Sequence, residues 1–325
     1  MAMSDVIGHD RVKALLENSI KSARIGHAYI FEGNEGVGRL TLAKAFAEEI
    51  TGGASAENNP DITIVTNELY DSSKKQTNVL IDTIRAMKTD IYIKPYIADK
   101  KVYIIPNADT MLSPAQNSLL KVFEEPPEYA VIILIAKNSN AFLPTILSRA
   151  TRVRLMPLEN NLVENYLIKK SVDDEKAKTL SVMSGGSIGK ALKLCEDEEA
   201  ISLRQQTVEH LMNIQTGGNK PLYDFIKFLK QNKSSCGIIL DIISGFSRDV
   251  LNIKMNSFDI ENADIKEDIK KFSLSVTKEA AFRLNEIAVK YMRIISSNAN
   301  YPIAVSCMAT ELWEEIHGRN YRSAL

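Results

Sequence analysis

The chain has 325 residues, 45% hydrophobic and 25% charged, with 40 Lys and Arg against 41 Asp and Glu for a formal net charge of -1. This composition excludes a largely disordered chain, and the length implies more than one core, since single domains hold about 100 to 200 residues. The balanced charge excludes a chain-wide basic footprint for nucleic acid, so any DNA contact is expected to be local or shared with partners.

From the N-terminus to residue 156, short apolar runs alternate with helical patterns. The runs are Ala28 to Phe31, Ile62 to Val65, Val102 to Ile105, Val131 to Ala136 and Val153 to Leu155. Runs free of polar alternation suit strands of a parallel sheet buried on both faces, with right-handed helical crossovers between them. The best signalled helix starts at Ser113-Pro114-Ala115-Gln116, where Ser is placed to cap, Pro fits the first turn and Gln completes a capping box; it stops at Pro126-Pro127. After Pro157 the strand signals vanish. Residues 158 to about 200 read as two or three short helices broken by Ser184-Gly185-Gly186, and Glu196 to Glu199 mark a second junction. Leu222 to Leu229, Ile238 to Ile253 and Lys278 to Ile295 read as amphipathic helices of a bundle. The expected division is therefore an α/β domain over 1–156, a small helical lid over 157–203 and an all-α domain over 204–325, with no internal repeat.

The longest apolar run, Val131 to Ala136, is far short of the roughly 20 residues that cross a bilayer, and the N-terminus has no signal-like segment. A cytoplasmic protein with no membrane contact is expected. Cys195, Cys236 and Cys307 are isolated, without a CxxC pair, so reduced thiols and no zinc are expected.

The first run leads into Gly33-Asn34-Glu35-Gly36-Val37-Gly38-Arg39-Leu40, which has the glycines of the phosphate loop G-x-x-x-x-G-K-[ST] but not its last two residues. In a working loop the backbone N–H groups wrap the phosphates, Lys reaches the β- and γ-phosphates, and the hydroxyl ligates magnesium. Arg39 presents a broad planar guanidinium instead of a compact ammonium, and Leu40 has no oxygen. Thr41 does not replace it, because one helical position turns a side chain by about 100°. The acidic pair that should end the third strand is replaced by Pro106-Asn107, and Asp109 reads as a loop or cap residue. Hydrolysis by this chain is not expected. The remaining Gly33, Gly36 and Gly38 leave two readings open: a nucleotide held without hydrolysis, or a glycine turn kept for packing.

Taken together, Val6-Ile7-Gly8-His9, this loop, Ala115-Gln116-Asn117-Ser118-Leu119-Leu120-Lys121 followed by Glu124-Glu125-Pro126-Pro127, and Leu143-Pro144-Thr145-Ile146-Leu147-Ser148-Arg149 resemble the clamp-loader subunits of bacterial DNA polymerase III, an AAA+ family. The resemblance is dense over residues 5 to 157 and thinner beyond. It implies a P-loop NTPase-like parallel-sheet domain, a helical lid and a helical collar. It also implies a five-subunit ring that loads sliding clamps in DNA replication. The expected partners are gamma/tau and delta subunits, with the clamp and primed DNA met through the complex. The losses at Arg39, Leu40, Pro106 and Asn107 fit a ring member that does not hydrolyse ATP rather than gamma/tau, the alternative being an autonomous gamma/tau-type ATPase.

The resemblance further implies that Arg149 of Ser148-Arg149 is an arginine finger reaching ATP on a neighbouring gamma/tau subunit. The residues alone leave open a simple pairing with a surface carboxylate. Asn138 and Lys190 fall where AAA+ sensors one and two lie, against the alternatives of a loop-capping Asn and a solvated helix charge. Asn298-Ala299-Asn300 and Ile303 to Met308 resemble the collar. Ala150 stands where relatives carry Cys, and residues 50 to 62 lack the four-Cys zinc module of many relatives.

Overall fold

Five strands form one parallel sheet in a computed structural model that describes residues 2–72, 76, 78–257, 260, 262–297 and 299–318. Strands β1 (Ala28–Glu32), β2 (Ile62–Ile64), β3 (Lys101–Ile105), β4 (Ala130–Ala136) and β5 (Thr151–Arg154) lie in the order β2-β3-β4-β1-β5. Parallel neighbours need crossovers, and α2 (Arg39–Ile50), α3 (Asn67–Tyr70), α4 (Ile81–Asp90), α5 (Ser113–Glu124) and α6 (Pro144–Leu147) lie in them, with α1 (Asp10–Lys21) ahead of the sheet.

Alternate residues of each strand face opposite ways, so the sheet carries a core on each side. Ile30, Tyr103 and Leu134 pack with Ile84, Leu119 and Phe123 of α4 and α5. Phe31, Ile104 and Ile133 pack with Leu16, Leu42 and Phe46 of α1 and α2. Burying each such side chain contributes about 1.5 to 3 kcal/mol. Strands β3 and β4 are buried along their whole length, as continuous apolar runs predict. The expectation of two buried faces fails for β5, where only Val153 is buried, because β5 is an edge strand with one neighbour.

The expected cap of α5 is also corrected. Leu112 is the N-cap, Ser113 already lies inside the helix and makes no capping bond, and Gln116 is buried. Its amide donates to Met111 O and Ala141 O, both at 2.9 Å, and accepts from Leu143 N at 2.8 Å. A side chain that satisfies two backbone groups of the β4–α6 connection and Met111 O ahead of α5 is worth more there than in a capping box.

By contacts the chain divides into two units, residues 1–172 with 184–192, and residues 173–183 with 193–325. The residues expected as a lid, 157–203, are thus shared between them: α7 (Asn160–Lys169) belongs to the first, α8 (Asp174–Met183) to the second, and α9 (Ile188–Glu196) spans the division. The second unit contains α10 (Glu198–Ile214), α11 (Asn219–Gln231), α12 (Cys236–Lys254), α13 (Lys266–Ser275), α14 (Lys278–Ser296) and α15 (Tyr301–His317). Helix α12 buries Ile239, Leu240, Ile243, Phe246 and Val250, a stripe of helical spacing that meets α10, α13 and α14. Arg204 is buried and forks onto Asp264 at 2.6 and 3.0 Å and onto Asn262 at 3.0 Å; Asn262 in turn donates twice to buried Asp249. Of the collar-like residues, Asn298 lies outside the described residues. Among the described residues no helix is long and apolar enough to cross a membrane.

Candidate functional site

Gly33 to Gly38 connect β1 to α2, and Gly36 and Gly38 stand at φ of 76° and 96°. A Cβ on Gly33 would lie 2.4 Å from Leu155 O, and one on Gly36 would lie 2.3 Å from Ser187 Oγ and 3.0 Å from the Cα of Gly189. At Gly38 nothing lies within 4 Å. Packing against the chain itself therefore demands the first two glycines, whereas backbone conformation alone favours the third.

Three successive carbonyls of this loop are held by protein groups. Ser187 Oγ donates to Glu35 O at 2.9 Å, Gly189 N to Gly36 O at 3.0 Å, and His9 Nε2 to Val37 O at 2.8 Å. His9 is itself in the left-handed region, at φ 57°, as the N-cap of α1. The sequence shows His9 only as part of a family-like motif; its target lies 28 positions away and is set by the fold.

A cavity of about 510 Å³ opens beside the loop. Val6, Ile7, Leu158, Tyr166 and Leu192 give it apolar walls, and Arg39, Leu40, Pro106 and Asn107 also line it. Asp5 is the one carboxylate on its lining, and it accepts the N–H of Ala2. Burial pulls the Arg39 guanidinium below its ordinary pKa while the charges of Asp109 and Glu35 push back. Asp109 does not face the cavity as a ligand; its carboxylate accepts Lys137 N at 3.0 Å. Asn107, at φ 50°, is the N-cap of the one-turn 3-10 helix Ala108–Thr110. Magnesium needs oxygen ligands in near-octahedral array, and Leu40, Pro106 and Asn107 do not provide the hydroxyl and carboxylates of a hydrolytic site. These residues do not fit a magnesium–ATP complex poised for cleavage.

Of the residues expected at this site, the structure brings Gly36, Gly38 and Arg39 to the cavity. Gly33 and Asn138 line a neighbouring one, where the Asn138 side chain accepts Asn140 N at 2.9 Å and caps a short turn. Lys190 donates its backbone N–H to Ser187 Oγ at 3.0 Å, in the first turn of α9, and does not line the cavity.

Ser148 and Arg149 follow α6. The Arg149 guanidinium donates to Thr145 O at 3.1 Å and meets Glu124 at 3.2 Å, with 36% of the side chain exposed. An exposed pair of this kind contributes about 0.2 to 1 kcal/mol. Thr151 lies beside Tyr29, four residues before Gly33, which places the loop about 13 Å farther along the strands. Arg149 stands two residues behind Thr151, at the amino end of the sheet, while the glycine loop stands at the carboxyl end. It serves no group in its own chain's loop.

Residues 8–159 match the family model described as DNA polymerase III, delta subunit. The delta' subunit of DNA polymerase III from Bacillus subtilis is 29% identical over 311 residues, covering 89% of this chain and 92% of that protein. The tau/gamma subunit from Haemophilus influenzae is 27% identical over 225 residues, covering 65% of this chain but 33% of that protein. A solved gamma subunit-related protein from Thermotoga maritima covers 94% of this chain at 19% identity, with a TM-score of 0.46, too distant to bear on the fold. The parallel sheet with a glycine loop after β1 accords with these matches to DNA polymerase III subunits. The family model over residues 8–159 and the delta' match over most of both chains support a likeness to a delta-prime subunit of DNA polymerase III, and a gamma subunit from Buchnera aphidicola also matches over 99% of this chain and 82% of that protein at 23% identity.

Proposed function

We propose that this chain is the delta-prime-type ring subunit of a clamp loader, which does not hydrolyse ATP itself and supplies Arg149 in trans to the ATP site of an adjoining gamma/tau subunit. The observation that carries this reading is the contrast within one sheet. The chain's own loop lacks the lysine, hydroxyl and acidic pair and has its carbonyls bound by His9, Ser187 and Gly189, whereas Arg149 stands at the opposite end, exposed and weakly held. A permanently charged fork with several donors suits stabilisation of the γ-phosphate during transfer. Ser148, beside it, orders the turn by donating to Thr145 O at 3.0 Å.

In this reading Gly33, Gly36, Gly38, Arg39, Asn138 and Lys190 are remnants of a nucleotide site kept for packing, with no zinc and no hydrolysed cofactor. The 157–203 segment is the lid, and 204–325 is the collar through which gamma/tau and delta subunits associate. Mixing the chain with its cognate gamma/tau and delta subunits and resolving the products by size exclusion tests the assignment. A five-subunit complex is expected; failure to assemble across a range of salt concentrations contradicts it. Purified chain alone should show no ATP hydrolysis that Arg39→Ala removes.

A further inference from the structure

A second cavity, of about 620 Å³, lies at the carboxyl ends of β1, β4 and β5. The register brings those ends level: Ala136 and Arg154 both lie beside Glu32, so Lys137 follows β4 at the point where Gly33 follows β1. Arg152 and Arg154 are two residues apart on the edge strand and share one face, and with Lys137 they put three cations on the cavity lining. Glu32 is the one carboxylate on that lining, and it accepts Ser139 N at 3.1 Å. Lys137 meets Glu35 at 3.4 Å with both side chains 63% exposed, a pair that an incoming anion displaces cheaply. No ion pair holds Arg152 or Arg154 among the described residues. Asn34, Asn138 and Asn140 add amides that can donate to an oxyanion.

Two exposed arginines without an ion pair among the described residues repel each other on this edge strand. Arginine forks bind phosphate with two parallel hydrogen bonds, and open parallel sheets take their ligands at the carboxyl ends of the strands. The polar lining has no aromatic ring on which a base would stack. We propose that this cavity binds a phosphate group, held by Arg152 and Arg154 with Lys137 at its side. The phosphate can belong to a free oligophosphate or to a nucleic-acid backbone. The site is separate from Arg149 and independent of its role.

The test uses the full chain with two probes, sodium tripolyphosphate by calorimetry and fluorescein-labelled primed DNA by anisotropy, at low and moderate salt. Wild type should bind at least one probe. The Arg152→Ala/Arg154→Ala pair should weaken that binding about tenfold for each arginine removed and lower the salt slope for DNA by about 2. The exposed Lys278→Ala, in the helical unit, should leave it unchanged. DNA binding that tripolyphosphate does not compete away assigns the phosphate to the backbone; competition assigns a site open to both sources. If neither probe binds at low salt, or the double variant binds as wild type does, the proposal is wrong. Should the double variant lose its far-UV dichroism, Arg152→Gln/Arg154→Gln and Lys137→Ala answer the same question, and unchanged affinity in both overturns it.

Discussion

Replacing Gly36 by alanine separates a loop kept for packing from one kept for phosphate. The new methyl group forces an L residue at φ 76°, which costs about 1 kcal/mol or more. It also arrives 2.3 Å from Ser187 Oγ and 3.0 Å from the Cα of Gly189. Ser187 can rotate away only by giving up its bonds to Glu35 O and Lys190 N, and Gly189 can retreat only by breaking its own bond to Gly36 O. Overpacking costs about 1 to 3 kcal/mol and each lost hydrogen bond about 1 kcal/mol, so a total near 4 kcal/mol is expected. For a unit of this size that lowers Tm by about 10 °C. At Gly38 the methyl group meets open space, and the φ strain alone lowers Tm by about 3 °C. Calorimetry of both variants reads the difference directly. A Gly38→Ala loss equal to or larger than that of Gly36→Ala would refute the packing argument.

Other outcomes follow from the same geometry. Restoring the loop with Arg39→Lys/Leu40→Thr should not create ATP hydrolysis in the isolated chain, because Pro106 and Asn107 still offer no carboxylate; a phosphate-release assay above background would contradict this. Asp61 is buried and accepts three backbone N–H groups, from Tyr96, Ile97 and Ala98 at 2.6 to 2.8 Å. Burial raises its pKa, but those bonds and the Lys101 charge outweigh it and leave the carboxyl below its ordinary value. Its stabilisation is therefore fully present above the unfolded pKa of about 3.9 and is lost as pH falls through the lower folded one. The Tm gap between wild type and Asp61→Asn should hold from neutral pH to about 5 and narrow below about 4. Arg204→Ala leaves Asp264 and Asn262 without their buried partner and should destabilise the helical unit by about 3 to 5 kcal/mol in chemical denaturation.

The parts of this protein legible in the sequence were those with short-range signatures. The strands of the sheet announced themselves as apolar runs, and the turn from β1 into α2 was marked by glycines at nearby positions. The interactions that hold the loop could not. Gly36 and Gly189 meet across 153 positions, and His9 finds Val37 only once α1 has packed. Ser113 looked like a cap because its neighbours fit the pattern, but Gln116 is held in the interior by two backbone groups of a distant connection, at Ala141 and Leu143, together with the nearby Met111 O. Edge position, which exposes Arg152 and Arg154, is a property of strand order and has no local signal.

The trans role of Arg149 is tested most directly by the clamp- and DNA-dependent ATPase of a reconstituted loader carrying Arg149→Ala. The Glu124 pair contributes little, so the variant should fold and assemble as wild type does. The account predicts a complex of unchanged composition whose ATPase falls because one site has lost its transition-state charge. An unchanged rate in a fully assembled complex would contradict it.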